Sequence, residues 1–261
     1  MRALGIAASG MLAQQTNVDV ISNNIANANT TGFKSGRAAF QDLLYQSERR
    51  EGALVAADGA ARPVGVDIGL GVATAGVVRL NTQGGLTETG NGLDVAIQGR
   101  GYFQVTLPDG SMAYTRAGNF SLSAEGEIVT LDGYLLDPGI AVPEDALSVE
   151  ISPDGVVSAR MADAVEPQQL GEITLAAFVN EQGLRPIGNN LLIQTPASGD
   201  PMLAQAGEEG FGTLRQNFLE TSNVNVIQQI TDLITAQRAY EMNSKAITTA
   251  DQMMQTATQV R

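Results

Sequence analysis

LGIAASGMLAQQTNVDVISNNIANA, residues 4–28, and VIQQITDLITAQRAYEMNSKAITTADQMM, residues 226–254, decide how this chain is read. In the first stretch Leu4, Met11, Val18 and Ile25 recur every seven residues, and in the second Val226, Leu233, Tyr240, Ile247 and Met254 do the same. Seven residues are almost two helical turns, so each series forms a narrow stripe facing one neighbour. Ile21 and Ile230 add to these faces. Both ends of the chain therefore read as helices that pack lengthwise, and the spacing predicts a first helix from about Ala3 to Ala28 with Gly32 as its stop. Asn17, Asn23, Asn24 and Asn27 weaken that helix in isolation, so its order must come from packing. The second helix is expected from about Asn217 or Asn223 to Gln259. Beside its large stripe runs a line of small residues, Ala236, Ala239, Ala246, Ala250 and Ala257, which lets a second neighbour approach closely.

Between the ends the pattern changes. Residues Tyr45 to Gly76 are rich in glycine, alanine and charge and read as an extended, adaptable segment. From Leu80 onward short apolar or alternating runs appear at Leu93–Ile97, Tyr102–Leu107, Met112–Thr115, Ile128–Leu131, Val149–Ile151, Val156–Ala159, Ile173–Phe178 and Leu191–Gln194. Turn signals separate them, among them Pro108-Asp109-Gly110, Asp132-Gly133 and Pro153-Asp154-Gly155. The expected fold is α+β. Long N- and C-terminal helices pair as a coiled-coil-like inner domain, and a mostly antiparallel β domain is inserted between them. The expected divisions are 1–35 for the first helix, 36–78 for the connecting segment, 79–216 for the β-rich domain and 217–261 for the last helix.

Composition argues against chemistry. The 261 residues carry a formal charge of −13 with no cysteine, histidine or tryptophan. A surface so acidic repels phosphate and speaks against nucleic acid as a partner. Without histidine or cysteine there is no Ser-His-Asp triad, no Cys-His pair and no ordinary zinc site. Gly69-Leu70-Gly71 and Gly99-Arg100-Gly101 are incomplete as dinucleotide fingerprints and open no helix. Asp94, Asp109, Asp132 and Asp154 sit at strand edges or in turns, where aspartate has a conformational role, and no window is dense enough in oxygen ligands for calcium. No cofactor, metal or enzymatic activity is expected. The first residues lack the apolar run of a secretion signal, and no segment has the length of a membrane span.

The run Ser22-Asn23-Asn24-Ile25-Ala26-Asn27-Ala28-Asn29-Thr30-Thr31-Gly32-Phe33-Lys34 resembles the N-terminal signature of the bacterial flagellar rod and hook family. Its counterpart, Glu220-Thr221-Ser222-Asn223-Val224-Asn225-Val226 followed by Gln237-Arg238-Ala239-Tyr240-Glu241-Met242-Asn243-Ser244-Lys245-Ala246, resembles the family's C-terminal motif. The middle agrees, with Gly92-Leu93-Asp94-Val95-Ala96-Ile97-Gln98-Gly99 and Tyr114-Thr115-Arg116-Ala117-Gly118-Asn119-Phe120. Asp42-Leu43-Leu44-Tyr45-Gln46, Ile68-Gly69-Leu70-Gly71-Val72 and the chain length are most like the distal-rod branch, with the proximal rod as close rival. Hook subunits are usually larger. One departure stands out: Ile227-Gln228-Gln229-Ile230 occupies a stretch where distal-rod members often carry acidic residues.

The resemblance implies a non-enzymatic subunit of a helical homopolymer. The terminal helices would line an export channel, with the β domain outermost. The polymer would join the proximal rod protein to the hook protein, pass through the L- and P-ring proteins and span the periplasm of the basal body. Its subunits would leave through the flagellar type III export apparatus without a cleaved signal peptide. The helix stripes are expected to pack against one another, with Asn23, Asn24, Asn27 and Asn243 supplying hydrogen bonds in a partly polar wall. Two rivals from other classes are a monomeric, secreted, β-rich carbohydrate-active enzyme using paired carboxylates, and a binding module whose helices close its own core.

Overall fold

The computed structural model of the protein describes residues 2–49, 64–161 and 166–259, the last three by backbone alone. Residues 50–63, which fall within the adaptable segment Tyr45 to Gly76, and the side chain of Ala257 lie outside the described residues. The chain divides into two compact units. A helical unit comprises Met1–Ile25, Gly36–Val78 and Asn225–Arg261, and a β unit comprises Ala26–Ser35 and Arg79–Val224. Residues 26–35 thus group with the strands, and the connecting segment 36–78 groups with the helices.

In the helical unit, α1 (Arg2–Ala26) and α2 (Val226–Gln259) accompany four strands, β1 (Gly36–Asp42), β2 (Tyr45–Arg49), β3 (Val66–Gly69) and β4 (Val72–Arg79). The strands form two ribbons, β1 with β4 and β2 with β3. The helix α1 ends at Ala26, short of Gly32, where asparagine chemistry competes with the helix: Thr30 donates from its N–H to Asn27 O at 3.2 Å and from its hydroxyl to Asn27 Oδ1 at 3.1 Å. The helix α2 begins later than Asn217 because that residue adopts a φ of 63° between two strands. Asn225 caps it, accepting the Gln228 N–H on Oδ1 at 3.2 Å.

Asn24, 2% exposed, holds α1 to the ribbon. Its Nδ2 donates to Gly36 O and its Oδ1 accepts the Gly36 N–H, both at 2.8 Å, so one amide serves as the missing strand partner of β1. The same Nδ2 donates to Gln229 Oε1 of α2 at 2.8 Å. Further along, a β-carbon at Gly10 would stand 2.9 Å from Asn243 Nδ2. Because 24 meets 229 and 10 meets 243, the two helices run antiparallel at these points.

In the β unit come β5 (Leu86–Glu88), β6 (Val95–Gln98), β7 (Tyr102–Thr106), β8 (Met112–Thr115), β9 (Phe120–Leu122), β10 (Ile128–Thr130) and β11 (Leu135–Leu136). These are followed by β12 (Ala146–Ile151), β13 (Val156–Met161), β14 (Gln168–Glu172), β15 (Thr174–Ala177), β16 (Arg185–Gly188), β17 (Leu191–Ile193), β18 (Met202–Gln205), β19 (Thr213–Gln216) and β20 (Phe218–Glu220). The largest sheet is nine-stranded, ordered β16-β17-β8-β7-β11-β10-β9 with β15 and β18 added beside β7, while β12-β13-β14 form a second sheet. Their ladders are antiparallel. Alternation places Val95, Ile97, Phe103, Val105, Phe120, Leu136, Leu175 and Leu214 in one core, where the Phe103 and Phe120 rings meet edge to face at 5.0 Å. Asp109 does turn work, accepting the Ser111 N–H at 2.9 Å.

Candidate assembly site

The two terminal motifs meet inside the β unit in a buried ionic clamp. Lys34 Nζ donates to Glu220 Oε1 at 2.5 Å and to Thr82 O at 2.8 Å. From the opposite side Arg116 Nε donates to Glu220 Oε2 at 2.7 Å, and the rest of its guanidinium is spent on Gly99 O at 2.5 Å, Ile97 O at 3.3 Å and Gly101 O. The Gly84 N–H adds a 2.8 Å bond to Glu220 Oε1. Glu220 is 1% exposed, and so buried a carboxylate is tolerable only with this many donors. Burial alone would raise the pKa of its carboxyl, but the Arg116 charge, with hydrogen bonds from Arg116, Lys34 and Gly84, holds it below the usual carboxylate range. Burial also pulls Lys34 below the usual lysine range, against the opposing pull of Glu220.

Backbone and amides complete the clamp. The Gly32 N–H donates to Glu220 O at 2.8 Å. A β-carbon at Gly32, whose φ is 67°, would lie 2.8 Å from Ala117 N, so the motif needs glycine here both for conformation and for space. Asn223 accepts the Ser35 N–H on Oδ1 at 2.7 Å and donates from Nδ2 to Leu80 O at 2.7 Å and Thr82 Oγ1 at 3.0 Å. Its own N–H donates to Phe33 O at 3.3 Å, Thr31 O accepts from Asn190 Nδ2 at 3.0 Å, and Ser222 Oγ accepts the Val224 N–H at 3.3 Å. Ser35, Leu80 and Asn223, each beside a point where the chain passes from one unit to the other, are thereby bound to one another.

Of the motif residues, the structure therefore brings together Thr31, Gly32, Phe33, Lys34, Ser222, Asn223 and Val224. Asn24 and Asn243 lie on the facing helices of the other unit, and Asn27 closes the turn after α1. Asn23, Gln237, Arg238 and Lys245 are exposed. Glu220 and Arg116 stand inside the motif runs, yet nothing in the order of residues marks them as the ion pair, since Lys34 and Glu220 are 186 positions apart.

The stripe residues Leu4, Met11, Val18, Ile25, Leu233, Ile247 and Met254 are half-buried, Ile21 is buried, and Val226, Ile230 and Tyr240 are exposed. On α2 the best-covered side chain is Ala236, and Gln229, Leu233, Asn243, Ile247, Ala250 and Met254 share its side of the helix. The opposite side carries large apolar side chains among polar ones such as Arg238, Glu241 and Lys245. Ile227 is 80% exposed and Met242 66%, with Ile234 and Met253 on the same flank. A shallow, mostly apolar groove edged by Lys245 runs along Ala3, Met242, Ala246, Thr249, Ala250 and Met253. Among the described residues no group of three or more acidic, histidine or cysteine side chains is placed to hold a metal, and no helix is long and apolar enough to cross a membrane.

A buried clamp that joins two distant motifs within the β unit, and helices in the other unit that leave large apolar side chains exposed, are features of a structural protein. Residues 4–34 match the family described as flagella basal body rod protein, residues 96–159 the flagellar hook protein FlgE/F/G D1 domain, and residues 215–260 the flagellar basal body rod FlgEFG protein C-terminal region. The flagellar basal-body rod protein FlgG of Agrobacterium fabrum is 56% identical over 253 residues, 97% of either chain. That of Caulobacter vibrioides is 55% identical over 261 residues, all of both chains, and that of Bacillus subtilis 41% identical over 260 residues, covering 98% of this chain and 97% of its own. The chain belongs to the flagellar basal-body rod protein family, and it is not an enzyme.

Proposed function

We propose that the chain is a structural subunit of the bacterial flagellar distal rod, polymerising into a rigid helical tube that carries torque from motor to hook around an export channel. The observation that carries this reading is the set of large apolar side chains left exposed on the far side of α2. A helix covered along Ala236 and Ile247 on one side, yet bearing Ile227, Ile234, Met242 and Met253 on the other, is suited to burial on both. Each such side chain gains roughly 1.5–3 kcal/mol on full burial, and association supplies that burial. A heterologous contact repeated without closure makes a filament.

In the polymer, residues 1–35 and 217–261 form the inner domain, with Leu4, Met11, Val18 and Ile25 packed in coiled-coil fashion against Val226, Leu233, Tyr240, Ile247 and Met254 of the same or neighbouring subunits. Segment 36–78 lies against neighbours and 79–216 forms the outer layer. The proximal rod protein stands at one end and the hook protein at the other, with the L- and P-ring proteins around the tube as it crosses the periplasm. The flagellar type III export apparatus delivers the subunits without a cleaved signal peptide. The similarity to rod proteins over the whole chain supports this arrangement. Electron microscopy of the purified, concentrated chain tests it: tubes are expected, and a monodisperse solution at every concentration and salt would overturn it.

A further inference from the structure

Around the clamp the β unit gathers more positive charge than it uses. Lys34, Arg79, Arg100 and Arg116 stand in one electrostatic neighbourhood with Glu181, Glu220 and the Tyr102 hydroxyl, four cations against two carboxylates in a chain whose net charge is −13. Three of the four cations are paired. Lys34 and Arg116 share Glu220, and Arg100 Nη2 donates to Glu181 Oε1 at 3.3 Å. Glu181 is also engaged by the Tyr102 hydroxyl, which donates to its Oε2 at 3.3 Å. Arg79, the last residue of β4, is left over. It is half-buried, and among the described residues its guanidinium makes no hydrogen bond and no ion pair.

That arrangement costs free energy in the solitary chain. Burial draws Arg79 below the ordinary arginine range, because a partly desolvated guanidinium has lost water without gaining an acceptor. Its five donors lie in one plane and match the two oxygens of a carboxylate.

We infer that Arg79 is an intersubunit anchor, a half-buried guanidinium whose partner is a carboxylate on a second copy of this chain. The inference rests on the assembly reading given above and names a polar contact for it. Charge complementarity selects the occupant: 28 aspartates and glutamates against 15 lysines and arginines mean that any copy presents carboxylates in excess, while this neighbourhood presents the reverse. An interface of this kind adds register and orientation to apolar contacts, which by themselves are non-directional.

The test uses full-length R79A, R79K and R79E. The concentration at which polymer first forms should rise at least about tenfold for R79A and further for R79E, with R79K between R79A and the wild type. The dilute R79A chain should unfold at a urea concentration no lower than the wild type, since no internal partner is lost. In a copolymer of isotopically labelled and unlabelled R79K chains, carbodiimide should join the amine at position 79 to an aspartate or glutamate peptide of mixed label. A polymer that forms at the wild-type concentration with R79A, a loss of stability in the dilute variant, or cross-links of unmixed label alone would each overturn the inference and leave assembly standing. A wild-type chain that makes no polymer under any condition would overturn both.

Discussion

Glu220 is the residue on which the β unit's polar interior turns, since both its carboxylate oxygens and its backbone carbonyl are spent on groups from residues 32–34, 84 and 116. Replacing it with glutamine leaves Lys34 and Arg116 buried without a counter-charge, and E220Q should lose about 3–5 kcal/mol of stability in urea unfolding. The same carboxylate sets an acid dependence. Its pKa is lower folded than unfolded, so the unfolded chain takes up the proton first; the contribution is complete above the ordinary carboxylate range and fades as pH falls through the native value. Urea midpoints taken downward from about pH 5 should decline for the wild type and decline less for E220Q. Lys34, Gly32 and Asn223 were legible as motif residues, but their reason was not, because a buried pair is a fact of proximity in space. Asn24 is a similar case: poor helix propensity is visible in the sequence, whereas its two hydrogen bonds with the Gly36 backbone need the ribbon beside it.

At the scale of elements, α2 shows what periodicity conveys and what it omits. The seven-residue stripe marks a helix meant for lengthwise contact, yet the side chain best covered within one molecule is Ala236, on the line of small residues, while Val226 and Tyr240 stay exposed. Substituting serine at both Ile227 and Ile234 should therefore leave helical circular dichroism of the dilute chain unchanged, while polymer appears only at several-fold higher concentration by sedimentation. Melting of the dilute variant well below the wild type would show that these side chains serve the molecule's own interior. The strands divide in the same manner. Strands between glycine turns such as β7, β8 and β13 are readable, β7 and β8 as short apolar runs buried on both faces and β13 by its alternation. The ribbon β2–β3 has no such pattern, because β2 is exposed along its whole length. Strands β5, β19 and β20 are short and pair with distant partners, so no local signal announces them.

For the whole molecule, the division into units yields a dissection. The β unit's main apolar core is drawn from residues between Val95 and Leu214, and its clamp from residues 32–35 and beyond, so nothing in either depends on α1. Deleting residues 2–25 should leave the β-sheet circular dichroism and its cooperative unfolding in place while abolishing tubes under the electron microscope; tubes formed without them would show that α1 is dispensable for assembly. The clamp also imposes an order in time. Lys34 emerges from the ribosome long before Glu220, 186 residues later, and until then Lys34 and Arg116 have no counter-ion with which to enter a dry interior. Closing so wide a loop is entropically slow as well. A growing chain thereby cannot seal this interior until Glu220 has been made, and that residue acts as the latch.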